Sequence, residues 1–138
     1  MGRARLSAVL LDTQVFAWSL VNDRRLSRAA AERVEAAEIV WISPISFYEI
    51  GQKVRIGKWP QMAPFADRLP ALMESQGGKV AILGAAIAIR AAALGWPHRD
   101  PFDRLIAATA IELKVPLVSS DAAFDSLAPE AAWRGRIW

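Results

Sequence analysis

Four short runs of apolar, largely β-branched residues recur along this chain, and helix-like stretches separate them. The runs are 8–11, 39–42, 79–83 and 115–118. Strands that read as continuous apolar runs are buried on both faces, which is the signature of a parallel sheet covered by helices. The intervening stretches carry helix start and stop signals. Asp12 or Thr13 can cap a helix holding Val15, Phe16 and Trp18, and Ser27 opens one through 37. Ser43-Pro44 starts a third, ended by Gly57; 64–75 reads as a fourth, 85–94 as a fifth and 101–114 as a sixth, with 122–127 as a short last one. The expected fold is α/β: a three-layer α/β/α sandwich around a mostly parallel sheet of four to five strands. The run 8–11 is its central strand, and the tail to Trp138 can supply an edge strand. No repeat, low-complexity tract or linker interrupts the pattern, so residues 1–138 read as a single domain.

Composition removes several classes of function. The absence of Cys excludes a disulfide framework and thiolate metal sites, and a single His argues against zinc. No stretch approaches the roughly 20 apolar residues of a membrane helix. The basic start, 1–11, has too short an apolar run for a signal peptide. A cytoplasmic protein with no membrane contact is the expectation. The formal charge of +3 leans weakly toward an anionic partner. A hydrophobic content of 54% with six Trp suits a well-filled core and a partner-covered surface equally well.

Four carboxylates stand out by placement. Asp12 and Asp121 each follow a strand, Glu49 lies in the helix after the second strand, and Asp103 lies in the first turn of the long helix after Asp100-Pro101. Carboxyl ends of parallel strands share one edge, so these groups converge there. Each also has a purely structural reading: Asp12 and Asp121 as N-caps, Asp103 as a dipole complement, Glu49 as the partner of Lys53 one turn on. A capping role for Glu49 with Ser46 is redundant, because Ser43-Pro44 already begins that helix. Gathered at one edge, the acids repel one another unless a cation sits among them, and oxygen donors alone suit Mg2+ or Mn2+. Such an ion polarises a phosphoryl oxygen and acidifies water, which makes a phosphodiester a fitting target. Lys53, Arg55, Lys58, Arg99 and Arg104 are candidates to hold its flanking phosphates. His98 stands beside the cluster, where a structural hydrogen bond from a loop imidazole is the simplest role.

These stretches together carry a resemblance. Leu10-Leu11-Asp12-Thr13, Ser43-Pro44-Ile45-Ser46-Phe47-Tyr48-Glu49-Ile50, His98-Arg99-Asp100-Pro101-Phe102-Asp103-Arg104-Leu105-Ile106-Ala107 and Leu117-Val118-Ser119-Ser120-Asp121 resemble a PIN-domain ribonuclease. More narrowly they are similar to the VapC-like toxins of bacterial toxin–antitoxin pairs. The resemblance implies an endoribonuclease dependent on Mg2+ or Mn2+, a homodimer, and a small cognate antitoxin that blocks the site. It implies that Asp12, Glu49, Asp103 and Asp121 are the catalytic acids, with Asp12, Asp103 and Asp121 on the metal. It places Ser119 where relatives carry Thr or Ser near the metal, and Ser119 is counted with the residues expected to hold substrate. Gln14 stands where many relatives have His, and Gly95-Trp96-Pro97 replaces their usual approach to His98. Both departures bear on substrate choice.

Two other classes stay open at this level. One is a PIN-like module that docks a partner without catalysis. The other is an aspartate-based phosphohydrolase, which commonly needs a second Asp where this chain has Gln14.

Overall fold

Strands and helices alternate along residues 7–138, which are those described by the computed structural model. The strands are β1 (Ala8–Leu11), β2 (Ile39–Ile42), β3 (Lys79–Val80), β4 (Leu117–Val118) and β5 (Arg136–Ile137). The helices are α1 (Thr13–Val21), α2 (Arg28–Ala36), α3 (Pro44–Arg55), α4 (Leu69–Ser75), α5 (Ala85–Ala93) and α6 (Pro101–Leu113). Two 3-10 turns, Pro60–Met62 and Ala122–Leu127, complete the set. The reading of the basic start as too short for a signal peptide falls partly on residues 1–6, outside the described residues.

The sheet runs β3-β2-β1-β4-β5 with every pair parallel, so β1 is central. Side chains alternate across a strand, and β1 shows what that does. Val9 and Leu11 join Val15, Phe16, Ile50, Leu69 and Met73 in a core beneath α1 to α4. Leu10 faces the other way and joins Leu94, Trp96, Ile106, Ile111 and Phe124 beneath α5, α6 and the second 3-10 turn. Burying each of these large side chains contributes about 1.5–3 kcal/mol, and the two cores clamp the sheet between two helical layers. α5 and α6 join through Ile87, Ala91 and Ala108, with Leu105 packed against them.

Three boundaries differ from expectation, and proline accounts for two. The helix expected over 64–75 is confined to α4, because Pro70 sits in its first turn. A proline there starts a helix well but cannot donate to a preceding turn. The strand expected over 115–118 is a ladder of two residues: Pro116 has no N–H to give, although its carbonyl accepts from the Leu10 amide at 3.0 Å. The run 79–83 contributes only Lys79 and Val80 to pairing, extended by the Ala81 amide donating to the Ile42 carbonyl at 2.8 Å, while Ile82 is left 85% exposed. The last short helix takes 3-10 form, and the tail forms β5 on β4. Among the described residues no helix is long and apolar enough to cross a membrane.

Candidate active site

Asp12 leaves the end of β1 and caps α1, its Oδ1 accepting from the Thr13 amide at 2.9 Å. Its Oδ2 accepts from the Ser119 hydroxyl at 2.7 Å, and that same hydroxyl accepts from the Asp121 amide at 3.0 Å. β1 and β4 are neighbours with Leu11 opposite Val118, so the two strand ends meet and Ser119 bridges them. Asp12 is only 9% exposed. Burial pushes its carboxyl from an ordinary 3.8 up to about 6. The Ser119 hydrogen bond opposes that rise, and the negative charges of Asp103 and Glu49 add to it.

Glu49 is brought in by α3. Ser43 caps that helix, its hydroxyl accepting from the Ile45 amide at 3.2 Å, and Pro44 occupies the first turn. Ser46 therefore does not serve as the cap. It is buried, and its hydroxyl shares a hydrogen bond of 2.9 Å with the hydroxyl of Thr13, fastening α3 to α1. One turn further on, Glu49 pairs with Lys53 at 2.9 Å.

Asp103 sits in the first turn of α6, whose cap is Asp100: its Oδ1 accepts from the Phe102 amide at 2.8 Å. The Asp103 Oδ2 meets the Nε2 of His98 at 2.7 Å. Burial raises the Asp103 carboxyl, the His98 hydrogen bond counters that, and the charges of Asp100 and Asp121 raise it further. Asp121 is exposed and caps the Ala122–Leu127 turn, its Oδ1 accepting from the Ala123 amide at 2.9 Å. Tyr48 and Phe102 stand edge to face at 5.7 Å, joining the segment that carries Glu49 to the one that carries Asp103.

The four acids thus lie along the carboxyl edge of the sheet, and their charges are felt from one to the next: Glu49 and Asp103 by Asp12, Asp121 by Asp103. Each carboxylate also has a partner of its own, and among the described residues no three acids or His stand close enough together to grip a metal as they are. The donor set is nevertheless that of a hard cation. It offers carboxylate oxygens only, with one buried carboxylate destabilised by two like charges that a divalent ion would neutralise.

The residues expected to hold substrate divide. Arg55 and Arg99 are exposed and make no ion pair among the described residues. Lys53 is engaged by Glu49 and lies over the Trp59 ring at 5.4 Å. Two expectations are corrected. Ser119 is fully buried with its hydroxyl committed to Asp12 and the Asp121 amide, so it shapes the acids and does not face a substrate. Arg104 donates to four backbone carbonyls and not outward. Sequence reasoning missed the Thr13–Ser46 bond and the role of Trp96. The only advance sign was an aromatic two places before the sole His.

A sequence comparison matches the PIN domain family over residues 9–129. Ribonuclease VapC22 of Mycobacterium tuberculosis is 33% identical over 119 residues, covering 84% of this chain and 88% of that protein. Among solved structures, VapBC2 from Rickettsia felis bound to a promoter DNA fragment superposes with a TM-score of 0.65 at 13% identity, covering 95% of this chain and 99% of that one. VapBC-5 from M. tuberculosis gives 0.62 at 18% identity, covering 94% and 98%. At those identities the two structures speak for the fold alone.

Proposed function

Because the chain belongs to the PIN-domain family, we propose that it is an endoribonuclease and the toxin of a toxin–antitoxin pair, built as one such domain. The observation that carries this reading is Asp12: a buried carboxylate at the end of the central strand, held in one orientation and burdened by the charges of Asp103 and Glu49. Proteins keep such a destabilised group where chemistry needs it.

Asp12, Asp103 and Asp121 are the residues that would hold a divalent cation, Mg2+ or Mn2+. Bound there, the cation supplies Lewis-acid polarisation of a phosphoryl oxygen and acidifies water for attack at phosphorus. The chain's own part is orientation and charge. Thr13 and Ser119 fix both oxygens of Asp12, His98 fixes Asp103, and Ala123 fixes Asp121. Preset donors lose no freedom when RNA arrives, and that is worth several kcal/mol in a displacement at phosphorus. Arg55 and Arg99, exposed on the segments that carry Glu49 and Asp103, draw in the RNA backbone. The resemblance to VapC-like toxins, which the 33% identity to Ribonuclease VapC22 supports, implies a small antitoxin as the partner that silences the site, and the exposed Ile82 and Ile89 leave apolar surface for a second copy in a homodimer.

RNA cleavage by the purified protein tests the reading. Asp12→Asn and Asp103→Asn abolish cleavage and growth inhibition while leaving the fold intact, and EDTA stops the wild type. Full toxicity in either variant removes the proposal, and a protein that neither binds metal nor cuts RNA is the silent docking module.

A further inference from the structure

All three nitrogens of the Arg104 guanidinium are spent inside the chain, and what they hold is the loop that delivers His98. Nε donates to the Ala91 carbonyl at 3.0 Å, Nη2 to Leu94 at 2.7 Å, and Nη1 to both Trp96 at 2.6 Å and His98 at 2.9 Å. Ala91 and Leu94 lie at the carboxyl end of α5, where carbonyls have no partner within the helix and a cation is favoured. Trp96 and His98 lie in the loop beyond. One planar fork therefore binds the end of one helix, the loop and the first turn of α6.

A second support meets the first from below. Trp96 is 4% exposed, and its indole stacks on the His98 imidazole with centroids 4.5 Å apart and planes 17° from parallel. Its Nε1 donates to the Ala123 carbonyl at 3.2 Å and the Ser126 hydroxyl at 2.9 Å. Both acceptors belong to the turn that Asp121 caps. At the edge of the imidazole, on Nε2, stands Asp103. A chain of contacts thus runs from the Asp121 turn through Trp96 and His98 to Asp103, with Arg104 pinning the backbone. The charges that act on the Asp103 carboxyl are those of Asp100, His98 and Asp121, while the guanidinium is directed at carbonyls.

We propose that Arg104 and Trp96 are positioning residues that act through His98, locking residues 94–98 so that the imidazole is held on the Asp103 carboxylate. The inference rests on the ribonuclease reading only in taking Asp103 as a working acid. Lysine cannot replace the fork, because an ammonium is a point donor and these carbonyls approach a plane from several directions.

His98 is the only His in the chain, so its ring signals in the NMR spectrum of untagged protein are unambiguous. In the wild type, stacking on Trp96 displaces them upfield. In Arg104→Lys and in Trp96→Leu they move to the positions of an unstacked imidazole while core methyl signals stay in place. In the same variants kcat for RNA cleavage falls on the order of 10- to 100-fold, with KM and its salt dependence unchanged. In a His98→Ala background, Arg104→Lys costs no more than about twofold further, since the path it acts through is already cut. Unmoved His98 signals overturn the proposal. So does a raised KM with a shallower salt dependence, the mark of a lost phosphate contact. Should Arg104→Lys fail to fold, Trp96→Leu tests the proposal by its kcat and KM, since removing the indole moves the ring signals in any case. Failure of the ribonuclease reading looks different: the wild type cuts nothing, while the ring signals still report whether the loop is locked.

Discussion

Asp12 costs the folded chain stability whenever it is ionised. Its carboxyl holds a proton up to about pH 6, against 3.8 ordinarily, because burial and two neighbouring carboxylates disfavour the anion. Between those values the native state binds more protons than the unfolded chain, so stability falls as pH rises through that window and stays lower above it. The difference is on the order of 3 kcal/mol. Asp12→Asn keeps the shape, can still accept from Thr13 and meet Ser119, and carries no charge. Metal-free Asp12→Asn therefore melts higher than wild type at pH 7, by roughly 1–3 kcal/mol in stability, and loses Asp12's share of the slope between pH 4 and 6, leaving that of the raised Asp103 carboxyl. Thermal melts in EDTA across that range check it; an unchanged slope in the variant means that Asp12 is not its source. The sequence announced Asp12, Glu49, Asp103 and Asp121 by their places after strands and at helix starts. It could not announce Ser119 as the holder of Asp12, since the two meet only when β1 and β4 pair, nor that Arg104 turns inward, since its four carbonyls lie 6 to 13 residues away on another helix and a loop.

At the scale of elements, the caps and prolines that set most helix starts were legible, because a cap is a local contract between a side chain and its own next turn. Asp12, Ser27, Ser43, Asp100 and Asp121 all cap as their positions suggest. Lengths were less legible where a proline divided an apolar run, as at Pro70 and Pro116. Contacts between elements were not legible at all, and the buried Thr13–Ser46 pair is the clearest case. Removing one hydroxyl leaves the other buried without its partner, so Ser46→Ala and Thr13→Val each destabilise by about 1–3 kcal/mol. The double variant loses less than the sum, and urea denaturation of all four proteins measures it. Cleavage suffers alongside stability, since α1 and α3 carry Asp12 and Glu49 into the same edge.

On the proposed reading, the molecule as a whole couples a bound cation to its fold. A cation that neutralises the acids binds only the native state, so Mg2+ or Mn2+ at a hundred times its Kd stabilises the wild type by about 2.7 kcal/mol. Asp12→Asn and Asp103→Asn forfeit most of that gain, and calorimetric melts with and without metal show it; equal gains in all three proteins place the ion elsewhere. The site belongs to no single stretch of the chain. The hydrogen bond that sets Asp12 comes from a residue 107 positions later, and β4, which brings it, lies beside the first strand. Parallel pairings of that reach form late. On a ribosome Asp12 emerges long before its partner, and domains close only once their distant strands have been made. A half-made copy of the chain therefore lacks the Ser119 side of the pocket, so on the proposed reading no RNA is cut until translation has passed Ser119 and the domain has closed around the acids.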